Sequence, residues 1–310
     1  MASAHSYKLV KITGVSGYKY TNPGGFVMRD GVQYVIVRRT PLDADMATEE
    51  AKASDIVLLR RSEPRTLIDA DDVIFKADSS RSVGYEDPRL LVDGSAFTLT
   101  LVSKDSYRSW LVDLVKGHRG RRMYPVGPRG VLSKNGYMYQ TANGRTVVVN
   151  RACETKAIQF YLFGTTEIAY RVCMADEPFD VWDGYCIGKL SVPHWLRGNQ
   201  GGFGHAGFGT CLSPTLALIH FGRSDEQGKY YVTALQRLSE WGIPAGPPEI
   251  IAEPAKSIPP GDVPNVIYTT MAWLDGSEIV LWSGHDDSAI IECRAKLPRW
   301  AYREIKRHEK

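Results

Sequence analysis

Apolar and polar residues alternate along much of this chain with the period of two that half-buried strands require. The alternating runs are punctuated by residues suited to tight turns. Asp30-Gly31 precedes VQYVIVRR, Asp93-Gly94 precedes SAFTLTLVS, Asn135-Gly136 precedes YMYQTA, and Asp275-Gly276 precedes SEIVLWSG. Each pair supplies the positive backbone angles of a hairpin. LALIHFG (Leu216 to Gly222) has the same character after Ser213-Pro214, and a return strand, KYYVTALQRL, follows the Gly228 turn. The units form five degenerate repeats starting near Lys8, Val73, Met123, Gly204 and Val263. Repeats of roughly 40 to 60 residues made of short antiparallel strands predict an all-β fold, a five-bladed β-propeller. Helical patterning is confined to Asp45 to Ser54 and Arg299 to Glu309, each a peripheral helix or a solvated loop. The Pro- and Gly-rich stretches Gly242 to Pro248 and Pro259 to Pro264 read as inter-blade connections, because strand patterns resume on either side. One domain over residues 1–310 is expected.

Composition narrows the function classes. Of 310 residues, 43% are apolar and 24% charged, which excludes extended disorder. No run approaches the roughly 18 apolar residues of a membrane span. The polar start, Met1 to Lys11, lacks a secretory core, so a cytoplasmic protein is expected. A formal charge of +3 does not suggest a nucleic-acid or membrane partner. The dense basic run Lys116 to Arg122 reads as a solvated loop or an anion site. Five cysteines without CxxC spacing indicate reduced, mostly buried thiols, not a disulfide framework or a zinc knuckle. His194, His205, His220 and His285 show no HxH or HExxH spacing, so no metal or other cofactor is expected. The glycine-rich GGFGHAGFGT around His205 lacks the lysine and context of a phosphate-cradling P-loop and fits a rim loop. Trp182, Trp195, Trp273 and Trp282 are either sugar-stacking platforms or packing between sheets.

In a ring of sheets, polar side chains near the inner strands converge on an axial funnel. The sharpest candidate is Gly84-Tyr85-Glu86-Asp87-Pro88-Arg89, directly before a strand. Pro88 biases Asp87 towards extended backbone, aiming its carboxyl group in a fixed direction. The motif is either a structural Asp-Arg pair closing a turn or the seat of a general acid, the group that glycosidic cleavage needs to protonate a leaving oxygen.

The stretch GYEDPRLLVDGSAFTLTLVS resembles the second blade of glycoside hydrolase family 130, five-bladed propeller enzymes that phosphorolyse or hydrolyse β-mannosides. Asn22-Pro23-Gly24 with DGVQYVIVRR resembles that family's first blade, Arg122-Met123-Tyr124-Pro125 the opening of its third, and GFGTCLSPTLALIHFG its fourth. Val263 to Ile290 is similar to its last blade. The resemblance implies a cytoplasmic carbohydrate-active enzyme acting on a small β-mannoside or related glycoside with inversion, inorganic phosphate being the second substrate in the phosphorylase alternative. By the same resemblance Asp87 is the catalytic acid, relaying its proton directly or through a sugar hydroxyl. Asn22, Arg38, Arg89 and Asp287 are then the substrate- or anion-binding residues. Arg38 alternatively makes a blade-edge salt bridge, and Asp287 a turn bond to its own backbone, with Asp286 offering the same chemistry.

Two departures from the family pattern bear on phosphate. The family's phosphorylases end their fourth-blade strand Tyr-His-Gly; this chain has His220-Phe221-Gly222, which turns His220 to the opposite face. The basic His-Arg-Pro run after the third-blade strand is replaced by Thr141 to Arg145, leaving Arg145 or Arg129 to supply a cation. Hydrolysis would need a second carboxylate about 6.5 to 9.5 Å from the first to activate water, for which Glu154, Glu167 and Asp286 are the candidates. The sequence favours hydrolysis, with phosphorolysis as the alternative, and a repurposed sugar-binding or biosynthetic propeller as the reading from another class.

Overall fold

A computed structural model describes residues 6–43, 53–78, 83–103, 106–113, 123–193, 203–225 and 228–308. The Asp45–Ser54 candidate falls almost wholly outside the described residues, and the basic run at 116–122, His194 and Trp195 lie outside them altogether.

Five small sheets follow one another along the chain. The first holds β3 (Tyr18–Arg29), β4 (Val32–Pro41), β5 (Asp55–Glu63) and β6 (Thr66–Phe75), with β2 (Lys11–Gly14) added parallel to β6 at its edge. The second holds β7 (Gly84–Leu90), β8 (Ala96–Ser103), β9 (Ser106–Asp113) and β10 (Met123–Pro125). The third holds β11 (Ser133–Gln140), β12 (Thr146–Ala152), β13 (Ile158–Phe163) and β14 (Cys186–Leu190). The fourth holds β15 (Phe203–Ser213), β16 (Leu216–Asp225), β17 (Gly228–Arg237) and β18 (Glu249–Ala252). The fifth holds β19 (Ile267–Asp275), β20 (Glu278–His285) and β21 (Ala289–Lys296), completed by β1 (Ser6–Leu9) from the other end of the chain. This is the five-bladed propeller that the turn spacing predicts. The chain's first strand closes the last blade, whereas the repeat pattern assigned the region near Lys8 to the first.

The turns at Asp30-Gly31, Asp93-Gly94, Ser213-Pro214 and Asp275-Gly276 each join an inner strand to its neighbour as expected. Asn135-Gly136 does not. It lies inside β11, and the β11–β12 hairpin closes instead through Thr141 N–H to Arg145 O (2.8 Å), with Gly144 at φ 76°. The reason is a feature shared by all five inner strands, each of which slips register against its neighbour near its middle: between Thr21 and Gly25, Glu86 and Arg89, Lys134 and Tyr137, Phe208 and Thr210, and Thr269 and Met271. A bulge there breaks the alternation and re-aims side chains towards the axis.

Apolar faces of adjacent blades pack on one another, burying Val35, Leu59, Phe97, Phe160, Phe208 and Leu281. Trp182 and Trp282 are wholly buried, the latter packed by Phe26 and Trp273 and donating from Nε1 to Glu292 Oε2 (3.1 Å). These three tryptophans therefore serve packing. The terminal helix is present as α3 (Arg299–His308), which buries Ala301 and Ile305. The sequence pattern missed two helices between β13 and β14: α1 (Thr166–Met174), capped by Thr165 Oγ1 accepting from Ile168 N–H, and α2 (Phe179–Asp183), which places Trp182 edge-on to Tyr161 and Phe163. Cys173, Cys211 and Cys293 are buried thiols, and Cys153 and Cys186 are half-buried. No described helix is long and apolar enough to cross a membrane.

Candidate active site

Three of the inner-strand bulges carry a polar residue in the left-handed backbone region: Asn22 at φ 52°, Asp87 at φ 54° and Asn135 at φ 59°. Asn and Asp tolerate this region better than other side-chain-bearing residues, which is why these types occupy it. The extended backbone expected for Asp87 before Pro88 is overridden by the bulge. The fifth blade adds Tyr268, one residue before its own bulge.

These four side chains meet. Asn22 Nδ2 donates to Asp87 Oδ1 (2.7 Å), and the Tyr268 hydroxyl lies 3.0 Å from Asp87 Oδ2, so both oxygens of the carboxyl group are held. Thr21 Oγ1 donates to Asn22 Oδ1 (3.0 Å), which fixes the orientation of that amide. The Tyr268 oxygen is also 2.7 Å from Asn135 Oδ1. Asn135 Nδ2 faces His220 Nε2 at 3.3 Å. Burial pushes the His220 imidazole well below its usual range, with His205, Arg151 and Arg89 adding to the effect, so it is neutral and accepts. Gly207 makes room for this contact: a Cβ there would lie 2.0 Å from His220 Nε2 and 2.4 Å from Asn135 Nδ2.

Arg89 is completely buried. Its Nε donates to Phe208 O (3.0 Å), Nη1 to Asp87 O (2.8 Å), and Nη2 to Asn135 Oδ1 (2.7 Å) and the Tyr268 hydroxyl oxygen. Burial pushes its guanidinium down to about 10, against the pull of Asp87 and with the push of Arg151, so it stays cationic at neutral pH. It therefore ties four blades together and holds the Asp87 main chain in place. Arg38 is buried too, donating from Nε to Ser54 Oγ (2.9 Å) and from Nη2 to Glu86 Oε1 (3.2 Å). Burial lowers its affinity for the proton, but the carboxylates of Glu86, Asp287 and Asp87 outweigh that and raise it. Lys134 Nζ reaches the other Glu86 oxygen at 2.9 Å. Asp287, at φ 55° after β20, takes no hydrogen bond from a described residue; burial raises its carboxyl above the usual range despite Arg38. Asn22, Arg38, Asp87, Arg89 and Asp287 are thus brought into one cluster. The sequence reading missed Lys134, Asn135 and Tyr268 as members, and it gave Glu86, though within the singled-out motif, no role of its own.

Beside the cluster opens a cavity of about 330 Å³ whose lining includes Tyr107, Lys134, Arg151, Lys156, His205 and Tyr231. The buried Arg151 Nε has no hydrogen-bond partner among the described residues. Burial pushes His205 down to about 3, helped by Arg151, Lys156, Lys229 and Lys134. A space with this lining suits an anion. Arg145 and Arg129, the cations anticipated from sequence, are elsewhere: Arg145 stacks over Trp241 (4.7 Å) and Arg129 is exposed in a loop.

The anticipated water-activating carboxylates fare no better. Glu154 and Glu167 are exposed, on a turn and in the first turn of α1. Asp286 accepts from Val266 N–H (2.8 Å) and Gly261 N–H (3.2 Å), which commits it to holding the chain. No group of three metal-ligating side chains occurs among the described residues.

The architecture is thus a five-bladed propeller with a buried acid at its axis and an adjoining cationic cavity. Solved structures share this fold across nearly the whole chain. A mannose phosphorylase from Leishmania mexicana, in complex with phosphate ion, aligns with a TM-score of 0.68 at 17% identity, covering 94% of this chain and 87% of that one. A GDP-Man-dependent mannosyltransferase from the same organism aligns with a TM-score of 0.66 at 13% identity, covering 94% and 89%. A β-1,2-mannobiose phosphorylase from Listeria innocua, in complex with β-1,2-mannobiose, aligns with a TM-score of 0.63 at 15% identity, covering 95% and 94%. No protein-family model and no curated protein sequence matches the chain. The fold implied by the resemblance to glycoside hydrolase family 130 is the fold observed.

Proposed function

We propose that this protein is a carbohydrate-active enzyme that cleaves or forms a β-mannoside or related glycoside with inversion, Asp87 being the general acid and inorganic phosphate the attacking group. The observation that carries the reading is the juxtaposition of Asp87, fixed through Asn22 and Tyr268, with the cavity bordered by Lys134, Arg151 and Lys156. In the cleavage direction a phosphate oxygen attacks the anomeric carbon from the face opposite the leaving group. The glycosidic C–O bond breaks, and Asp87 donates its proton to the departing oxygen. Arg38 and Asp287 bind sugar hydroxyls; Arg89 acts through Asp87 and Asn135. This shifts the balance from hydrolysis, which the His220-Phe221 order favoured, because the cations lie on residues that the sequence reading did not weigh. Hydrolysis is the second reading, favoured by the Asp287 carboxyl, which takes no hydrogen bond from a described residue and feels the charge of Asp87.

Purified protein incubated with mannobioses and manno-oligosaccharides, with and without phosphate, tests this. Mannose 1-phosphate formed only with phosphate is expected, and Asp87→Asn should abolish it while the protein stays folded. Free mannose at equal rates in both buffers would support hydrolysis instead. Turnover by the Asp87→Asn variant would remove Asp87 from the chemistry.

A further inference from the structure

The Tyr268 hydroxyl has one hydrogen and two acceptors. Its oxygen lies 3.0 Å from Asp87 Oδ2 and 2.7 Å from Asn135 Oδ1. Arg89 Nη2 donates to that oxygen, so the hydroxyl hydrogen alone is free to choose. Neither acceptor can be turned away: the Asn22 amide, set by Thr21, holds the carboxyl group, and the Asn135 amide is set by Arg89 on one side and neutral His220 on the other. The ring of Tyr268 packs against His220 with centroids 4.4 Å apart, which fixes the phenol in place.

We propose that Tyr268 is the positioning residue of Asp87: its hydroxyl hydrogen turns to the Asp87 carboxylate when that group is ionised, and to the Asn135 amide oxygen when Asp87 carries its proton. The role in turnover rests on Asp87 being the general acid. As the acid protonates the leaving oxygen, the new carboxylate gains the Tyr268 hydrogen bond at Oδ2. Asn135 Oδ1 keeps the bond from Arg89. Tyr268 keeps its own proton throughout, and only its hydroxyl rotates. A hydrogen bond made to the charged form favours that form. Tyr268 therefore helps the acid release its proton and stabilises the state that follows.

The charged and titratable groups facing Asp87 are Arg89 and Glu86 on its own strand, Arg38 on β4, Tyr231 on β17 and Asp287 after β20. All are retained in Tyr268→Phe, which removes one oxygen and leaves the ring. Protein labelled with ¹³C at the Asp carboxyl carbons, with the Asp87 resonance assigned by its loss in Asp87→Asn, is titrated by NMR. The Asp87 midpoint is expected to rise by about one pH unit in Tyr268→Phe, the size of one lost hydrogen bond to a carboxylate. In the unmutated protein the Tyr268 ¹³Cζ resonance is expected to move with the same midpoint as Asp87, which keeps the test independent of how well the variant folds. An unchanged Asp87 midpoint in folded Tyr268→Phe, or a Tyr268 resonance indifferent to it, overturns the proposal. In the mannoside assay the alkaline limb of kcat/KM should move up by the same amount with KM unaltered. Persisting turnover in Asp87→Asn would instead overturn the reading of Asp87 as acid, leaving the NMR coupling to stand or fall separately.

Discussion

Replacing Arg89 by Met removes a buried cation of similar length and takes one donor away from each of four oxygens. Phe208 O, Asp87 O and Asn135 Oδ1 accept from it at 3.0, 2.8 and 2.7 Å, and the Tyr268 oxygen accepts a fourth bond. The position is wholly buried, so water does not substitute. Asn135 Oδ1 can still take the Tyr268 hydroxyl hydrogen, so at about 1 kcal/mol or more for each orphaned buried acceptor the two main-chain carbonyl oxygens, Phe208 O and Asp87 O, set a floor of about 2 kcal/mol. That is a sizeable fraction of a typical folding free energy of about 5 to 15 kcal/mol. With a urea slope of about 3 kcal/mol per molar, the unfolding midpoint should fall by about 0.7 M. Urea titration followed by tryptophan fluorescence reads this directly. Arg38→Met, which leaves Glu86 still paired with Lys134, should cost less stability. A midpoint for Arg89→Met within about 0.2 M of that of the unmutated protein would refute the assignment of Arg89 as an inter-blade strut.

Lys134→Met and Arg151→Met should each raise the KM for phosphate by about tenfold or more, the loss of one charge-assisted contact, with a smaller effect on the KM for the mannoside; initial rates at varied phosphate check this. Gly207→Ala should destabilise by about 1 to 3 kcal/mol, because its methyl group falls on His220 and Asn135, as seen in the same urea titration. Stability should also decline as pH falls below 6.5. His205 has its ordinary value of 6.5 lowered to about 3 by burial and neighbouring cations, so between those limits the unfolded chain binds a proton that the folded one does not. His220 acts in the same direction. Midpoints measured from pH 7.5 to 4.5 should show the decline, and His205→Phe should make it shallower.

The hairpins were legible because Asp-Gly and Ser-Pro pairs sit between alternating runs and turn chemistry is local. The bulges were not. Asn135-Gly136 carries the residues of a type I′ turn, yet it occupies a strand interior, since a left-handed Asn serves a bulge as well as a turn. That misreading hid Asn135, and with it Lys134, from the site. Tyr268 had no signal at all: an aromatic residue in an apolar strand is ordinary, and its role appears only when β19 is set beside β7 and β11. The closure by β1 was equally silent, because Ser6–Leu9 pairs with residues at the far end of the chain. The short helices α1 and α2 escaped because their buried positions are few, Ala169, Cys173 and Trp182. Asp87, Asn22, Arg38 and Arg89 were legible through the family resemblance, whereas their mutual geometry required the fold.

An inverting transfer to phosphate driven by Asp87 fixes the anomeric configuration of the first product. Proton and phosphorus NMR, recorded from the start of the reaction of a β-mannobiose with phosphate, should show mannose 1-phosphate appearing as the α-anomer. Formation of the β-anomer, or of free mannose with no phosphate ester, would exclude inverting phosphorolysis.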